Sequence, residues 1–135
     1  MSKISVVLPV LAPTPFLRVM TEFCIKTLRM HADYEFELVV VEAGHNYFDP
    51  IPFGLSTASR EDVEGRYSTH ERDPLLHIDR YLHFDPKIGG VREANAGFDA
   101  ASGEYIVSTG NDVFVPPHWD TELLRAFELY PDCGV

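Results

Sequence analysis

The sequence has few cysteines, few basic residues and no long apolar run. Among its 135 residues only Cys24 and Cys133 are cysteines, and they form no CxxC pair, which argues against a disulfide framework and a cysteine zinc site. The 11 Lys and Arg residues face 21 Asp and Glu, and the formal net charge of -10 repels nucleic-acid phosphates and anionic membranes. We therefore expect no nucleic-acid partner.

Two further absences concern location and zinc. The longest apolar run, Ile4 to Ala12, is interrupted by Ser5 and Pro9 and is far shorter than the roughly 20 residues that span a membrane. The N-terminus lacks the basic flank and cleavage pattern of a signal peptide, so we expect no transmembrane segment and a cytoplasmic location. The six histidines show no HxxxH or HExxH spacing, which argues against a histidine zinc site.

The N-terminal part predicts a strand, a helix and a second strand. Residues 4–9 form a β-branched run typical of a buried parallel strand, and Pro9 is expected to end it. Thr14 as N-cap and Pro15 at the first helical position predict a helix from about residue 15 to about 31. Its apolar residues recur at helical spacing: Phe16, Val19, Met20, Phe23 and Leu28.

The second strand is predicted over residues 36–41, closed by Glu42, Ala43 and Gly44. A strand, helix and strand with short connections indicate the βαβ unit of a parallel sheet. Residues 45 to about 74 are broken by Pro and Gly and predict an irregular insert, with one short helix over 59–66.

The remaining sequence predicts two more strands and two more helices. Strands are expected over 77–84 and 104–109, and a helix opens at Gly89-Gly90 with Gly103 as its left-handed C-cap. A last helix follows Pro117 and carries Trp119, which we expect in the core. The fold class is α/β: a Rossmann-like three-layer sandwich with a mostly parallel sheet, as one domain over residues 1–135. A further strand is expected to begin at 133–135.

Ligands of an open parallel sheet bind outside the carboxyl ends of its strands. Pro9 with the following backbone, Glu42 and Asp112 fall at such ends, and this convergence indicates a site. No GxGxxG follows the first strand, and Gly89-Gly90 lacks the Gly-Lys-Ser/Thr of a phosphate loop. Hydride transfer and ATP hydrolysis are therefore weak interpretations.

Several short motifs recur in the order and spacing of one known family. They are the strand ending at Pro9, the strand ending in Glu42-Ala43-Gly44, Asn95-Ala96-Gly97, Gly103-Glu104-Tyr105-Ile106, Gly110-Asn111-Asp112, and Pro117 with Trp119. In these the chain resembles the nucleotide-sugar-binding part of GT-A glycosyltransferases, particularly family 2. The insert after Gly44 has no counterpart in that pattern.

The resemblance implies roles for individual residues. Asp112 matches the last carboxylate of a DxD-type motif, which holds Mg²⁺ or Mn²⁺ against the donor diphosphate, whereas Gly110 replaces the first carboxylate. Glu42 matches an acidic residue that hydrogen-bonds the nucleotide base. The remaining nucleotide contacts implied are Pro9, Val10, Asn95 and Asn111. Members of the family often have an Arg at the position of Ala94, and Arg92 is a candidate to supply that positive charge in this chain.

Each of these residues also has a structural interpretation. Asp112 could be a turn residue, Glu42 a solvated acid at a strand end, and Asn95 a partner of backbone groups. Gly97 is expected to allow close approach of helix and sheet rather than to touch a ligand. Cys24, among apolar helix positions, is expected to be inert.

The leading hypothesis is the donor-binding domain of a glycosyltransferase, with a nucleotide-diphosphate sugar and an unknown acceptor as partners. No residue can be assigned as the general base, so we expect the acceptor-binding part to be absent and nucleotide binding without sugar transfer. The alternative is a non-catalytic nucleotide-binding or interaction module that keeps the fold. A nucleotidyltransferase is disfavoured, because residues 11–15 lack a basic Gly-rich loop. A homo-oligomer that covers an exposed sheet edge or helix face remains open.

Overall fold

The structure is a computed structural model that describes residues 4–48 and 74–132. Within these residues four parallel strands form one sheet in the order β3-β2-β1-β4. The strands are β1 (Ile4–Val10), β2 (Glu37–Ala43), β3 (Arg80–Phe84) and β4 (Tyr105–Ser108). The helices are α1 (Pro15–His31), α2 (Gly90–Ala100) and α3 (Trp119–Leu129), with a 3₁₀ turn at Pro74–Leu76.

Helices cover both faces of this sheet, as expected for strands that are buried on both sides. Alternate residues of β1 enter two separate cores: Leu8 packs with Leu28 of α1 and Trp119 of α3, and Val7 packs on the opposite face with Phe98 of α2. The predicted α/β, Rossmann-like three-layer architecture with a mostly parallel sheet is confirmed.

Pro9 does not end β1, contrary to the prediction. Its nitrogen faces the β4 side of the strand, where no N–H donor to a neighbouring strand is required. Residues of one strand alternate between their two neighbours, and the Val7 carbonyl accepts the Thr109 N–H at 3.2 Å on the β4 side. Pro9, two residues later, faces the same side, and β4 has already ended at Ser108. The strand therefore continues to Val10, which pairs with Glu42 of β2.

The start of α1 is confirmed: the Thr14 hydroxyl accepts the Leu17 N–H at 3.2 Å, and Pro15 opens the helix. Its buried face differs from the apolar spacing in the sequence. Phe16, Val19 and Phe23 are each more than half exposed, whereas Leu28 of the same series faces the sheet and is buried with Cys24 and Ile25.

Two glycines allow neighbouring parts of the chain to pack close to the sheet. A Cβ on Gly97 would lie 2.5 Å from Val7 Cγ1, so the helix approach predicted there is confirmed. Gly103 is not a left-handed C-cap, because α2 ends at Ala100 and Gly103 has no positive φ. Its N–H donates to Ser5 Oγ at 2.7 Å, and a Cβ would lie 2.6 Å from that oxygen. Close packing therefore accounts for the glycine.

The first turn of α3 is tied to the loop after α1. Trp119 is buried, as predicted, and donates its Nε1–H to Leu28 O at 3.0 Å. The Asp120 carboxylate is 1% exposed and accepts the N–H groups of Asp33, Tyr34 and Thr121. This buried carboxylate fixes the helix against the connection that leads into β2.

Glu37 joins β2 to the chain before β4. Its carboxylate accepts the Ser5 hydroxyl at 2.8 Å, the Ser102 N–H and hydroxyl at 2.8 Å each, and Arg80 Nε at 3.1 Å. Burial raises the pKa of this carboxyl, but the hydrogen bonds outweigh burial and lower it to about 2. Glu37 is therefore a charged crosslink at the amino ends of the strands.

The predicted helix over 59–66, most of the insert over 45–74 and the strand expected at 133–135 lie outside the described residues. Across the two described ranges, no helix combines the length and the apolar character that crossing a membrane requires.

Candidate functional site

The carboxyl ends of the four strands carry the candidate site. Here β1 leads into the first turn of α1, β2 into residues 44–48, β3 into residues 85–89, and β4 into the turn of residues 110–113. Since the strands are parallel, these four connections lie along one edge of the sheet.

Asp112 is exposed in the turn that follows β4. The Thr109 N–H bond to Val7 fixes the start of this turn against β1, and Val113 N donates back to Gly110 O at 3.4 Å. A Cβ on Gly110 would lie 3.0 Å from Asp112 Oδ1, so the carboxylate folds back over the glycine. A side chain at residue 110 would thus lie next to the Asp112 carboxylate.

The metal expectation rests on Asp112 alone. Within residues 4–48 and 74–132, no three His, Cys, Asp or Glu side chains are grouped so that they could hold a metal ion. Mg²⁺ in proteins is often held by one or two carboxylates together with substrate phosphates. Among the described residues Asp112 could therefore contribute to a cation only together with a ligand such as a diphosphate, and this cation stays a prediction.

Asn111 precedes this carboxylate but points elsewhere. Its Nδ2 donates to Thr21 Oγ1 of α1 at 3.0 Å, and the residue is half-buried. Thr21 in turn donates to Leu17 O at 2.8 Å. The Asn111 side chain thus joins the turn to α1, and its predicted contact with nucleotide stays a prediction.

Glu42, at the end of β2, is completely buried. Its two carboxylate oxygens accept the N–H groups of Tyr47 and Phe48 at 3.0 Å each, and Oε1 also accepts the Tyr81 hydroxyl. Burial raises the pKa of Glu42, and the three donors partly offset this rise. The side chain is engaged within the protein, so it differs from the solvated strand-end acid considered above.

The segment held by Glu42 presents flat and cationic groups. The Arg18 guanidinium lies 4.0 Å from the centre of the Tyr47 ring, and the His45 ring stacks on Tyr47 at 5.0 Å with 20° between the planes. A Cβ on Gly44, whose φ is +76°, would lie 2.9 Å from Lys87 Cε, so the Lys87 stem passes over this glycine.

The remaining residues predicted to contact nucleotide are Pro9, Val10 and Asn95. Val10 is 2% exposed in the core and Pro9 is half-buried, and their predicted contact with nucleotide stays a prediction. Asn95 is exposed in the middle of α2 and belongs to none of the four connections. Arg92 is exposed in the first turn of the same helix.

The sequence analysis did not single out four residues that the structure places beside the end of β2: Arg18, His45, Tyr47 and Lys87. The sequence contains a signal for them, because His45 and Tyr47 follow Gly44, which closes a strand, in a chain with few basic residues. Burial raises the pKa of the Cys24 thiol to about 11, and the inert role expected for this residue stays a prediction.

No protein-family profile and no curated protein sequence matches this chain. Solved structures of TarS from S. aureus are similar in fold. One has a TM-score of 0.65 and 16% identity over 94% of this chain and 20% of that chain. Another, of TarS 1-349, has a TM-score of 0.64 and 14% identity over 96% of this chain and 33% of that chain.

The chain therefore spans a third or less of the length of these structures. At such identities the likeness concerns the fold alone. It confirms the GT-A-like fold that the sequence motifs predicted.

Proposed function

We propose that this chain is the donor-binding part of a glycosyltransferase that transfers a sugar from a nucleotide-diphosphate sugar to an acceptor hydroxyl. The observation that carries the proposal is the exposed Asp112 carboxylate, held in the turn after β4 beside the end of β1, in a GT-A-like fold. The family-2 assignment and the cytoplasmic location belong to this proposal as predictions.

Charge balance supports a cation at this carboxylate. A donor diphosphate is an anion, and the chain has a formal net charge of -10. Mg²⁺ or Mn²⁺ shared between Asp112 and the diphosphate would neutralise part of the donor charge and assist departure of the nucleotide. Asp112 would hold and orient that cation. We assign no general base among the described residues.

The test is nucleotide binding to the purified chain, read by thermal unfolding with UDP or GDP in Mn²⁺ or in EDTA. At a ligand concentration 100 times Kd, stabilisation should reach about 2.7 kcal/mol, or roughly 8 °C for a chain of this size. Asp112→Ala should lose the Mn²⁺-dependent part. Asp99→Ala, which removes an exposed acid on α2, is the matched control and should keep it.

A non-catalytic module is the second candidate. Its support is the lack of a three-ligand cluster for metal in the described ranges, together with Gly110 in the motif. If the module serves interaction and does not bind nucleotide, neither nucleotide shifts the unfolding temperature of the unaltered chain, with or without Mn²⁺. That outcome would refute the glycosyltransferase proposal.

A further inference from the structure

β4 lies at one edge of the sheet. Across the part of the chain that the structure describes, it pairs with β1 and with no other strand. The Thr109 N–H donates to Val7 O of β1, and the backbone groups of a strand alternate between its two sides. Ile106 and Ser108 therefore direct their N–H and C=O groups away from β1. An edge of this kind can pair with a further strand.

β4 lacks the features that commonly protect an edge strand, which are charged side chains, proline and bulges. β3, at the other edge, carries the exposed Arg80 and His83 and is soon followed by Pro86. β4 has the sequence Tyr-Ile-Val-Ser, with no charged residue and no proline, and its Ile106 side chain is 46% exposed. Of the two edges, β4 is therefore the better suited to pairing.

Both faces of β4 offer apolar contacts to an added strand. Tyr105 and Val107 pack toward the core shared with α1 and α3, and Ile106, between them, points to the other face. A cavity of about 380 Å³ lies between β4 and the start of α3. Apolar side chains line most of it, among them Val107, Trp119 and Leu123. A strand added beside β4 would lie next to both Ile106 and this cavity.

A second copy of β4 is complementary to this edge when the two strands run antiparallel. The register that places Ile106 opposite the partner's Ile106 pairs all residues from 104 to 108. In that register Val107 lies opposite the partner's Tyr105, and a β-branched residue beside an aromatic ring is a favourable cross-strand pair. Glu104 lies opposite the partner's Ser108, whose hydroxyl can donate to the carboxylate. No two acids are opposed, which matters between copies with a formal net charge of -10.

We infer that two copies of this chain associate through β4, with the outer edges of the two strands paired antiparallel about a twofold axis at Ile106. The two four-stranded sheets then form one continuous sheet, and the central Ile106 pair exchanges two hydrogen bonds. Because the strands of the two copies run in opposite directions, the two candidate sites lie at opposite edges of the joint sheet. The inference does not depend on the proposed function.

Sedimentation velocity of the purified chain over a concentration series tests the inference. The unaltered chain should show a dimer whose share increases with concentration. Ile106→Pro should weaken this dimer by about tenfold, because it removes the two hydrogen bonds of the central pair and none between β1 and β4. Ile106→Lys should weaken it as well, because two cations then lie opposite each other. Val91→Lys, at an exposed aliphatic residue of α2, is the matched control and should leave the dimer unchanged.

Cysteine cross-linking tests the register. In a hydrogen-bonded antiparallel pair, opposite Cα atoms are about 5.5 Å apart, which is within reach of a disulfide. In a Cys133→Ser background, where the remaining Cys24 is buried, Ile106→Cys should form a covalent dimer on mild oxidation. Val91→Cys is the control and should not. An Ile106→Cys chain that forms no more covalent dimer than Val91→Cys would overturn the inference.

Two sedimentation results would also overturn it. One is an unaltered chain that stays monomeric at every concentration, and the other is a dimer that neither Ile106→Pro nor Ile106→Lys weakens. Urea unfolding followed by Trp119 fluorescence reports whether each variant is folded. If Ile106→Pro loses the fold, Ile106→Lys and the cysteine cross-link decide, because both change a side chain that is already 46% exposed.

Discussion

Replacing Asp120 with Asn should destabilise the fold, because it removes hydrogen bonding that the charge and the burial of the carboxylate make strong. Asp120 accepts Tyr34 N at 2.8 Å and Thr121 N at 2.9 Å, and it accepts Asp33 N on both oxygens at 3.0 and 2.9 Å. An Asn amide offers one acceptor oxygen and turns an NH₂ group toward the remaining donors. At least one N–H is then left without a partner in a site that is 1% exposed.

The expected cost follows from these contacts. Hydrogen bonds to charged groups contribute about 1.5–3 kcal/mol each, and losing one gives about 2 kcal/mol. Asp120 also lies in the first turn of α3, where a negative charge gains about 0.3–1 kcal/mol from the helix dipole. Glu122→Gln is therefore the matched control, because Glu122 shares that turn but is exposed. The difference between the two variants isolates the hydrogen bonds.

Urea unfolding followed by tryptophan fluorescence is the assay. Trp119 is the sole tryptophan of the sequence, is 6% exposed and precedes Asp120 directly, so its signal reports on this region. With a slope of about 2 kcal/mol per molar urea, Asp120→Asn should unfold about 1 M earlier than Glu122→Gln. Midpoints within about 0.2 M of each other would refute the argument, since that gap is only about 0.4 kcal/mol at this slope.

Two other substitutions test the amino ends of the strands. Glu37→Gln should cost about 2 kcal/mol at neutral pH. Because the pKa of Glu37 is lowered from 4.5 to about 2, its stabilisation of the fold is complete above pH 4.5 and is lost as the pH falls toward 2. Urea unfolding across that range should therefore show the stability difference between Glu37→Gln and the unaltered chain becoming smaller. A stability difference that stays constant with pH would contradict this. Gly103→Ala should destabilise the fold by about 1–3 kcal/mol in thermal unfolding, because the new Cβ would clash with Ser5. Gly90→Ala is the control and should not destabilise the fold, because a Cβ there meets open space. Equal effects of the two substitutions would exclude the clash.

The elements were predictable because local chemistry specifies them. Thr14 and Pro15 define the start of α1 from neighbouring residues alone, and the structure confirms that start. The buried face of the same helix was not predictable, because two stripes have helical spacing and only tertiary packing selects between them. Phe16 and Phe23 of the predicted series are exposed, whereas Leu28 of that series is buried beside Cys24.

The candidate site was predictable in position and less so in detail. Asp112 lies just beyond the end of β4, as predicted, and is exposed; its role as a metal ligand stays a prediction. The surroundings of Glu42 could not be read from the sequence, since its donors come from residues five, six and 39 positions away. Contacts of such different range depend on the folded sheet, and the predicted contact of Glu42 with nucleotide stays a prediction.

Pro9 also has a consequence for the neighbouring strand. In register with β4, the next N–H that β1 would offer belongs to Pro9, and proline has none to give. The ladder between β1 and β4 ends with the Thr109 bond, at the point where β4 stops and Pro9 has no N–H to offer. The turn that carries the exposed Asp112 begins directly after this bond, so the end of the ladder and the candidate carboxylate are neighbours along the chain.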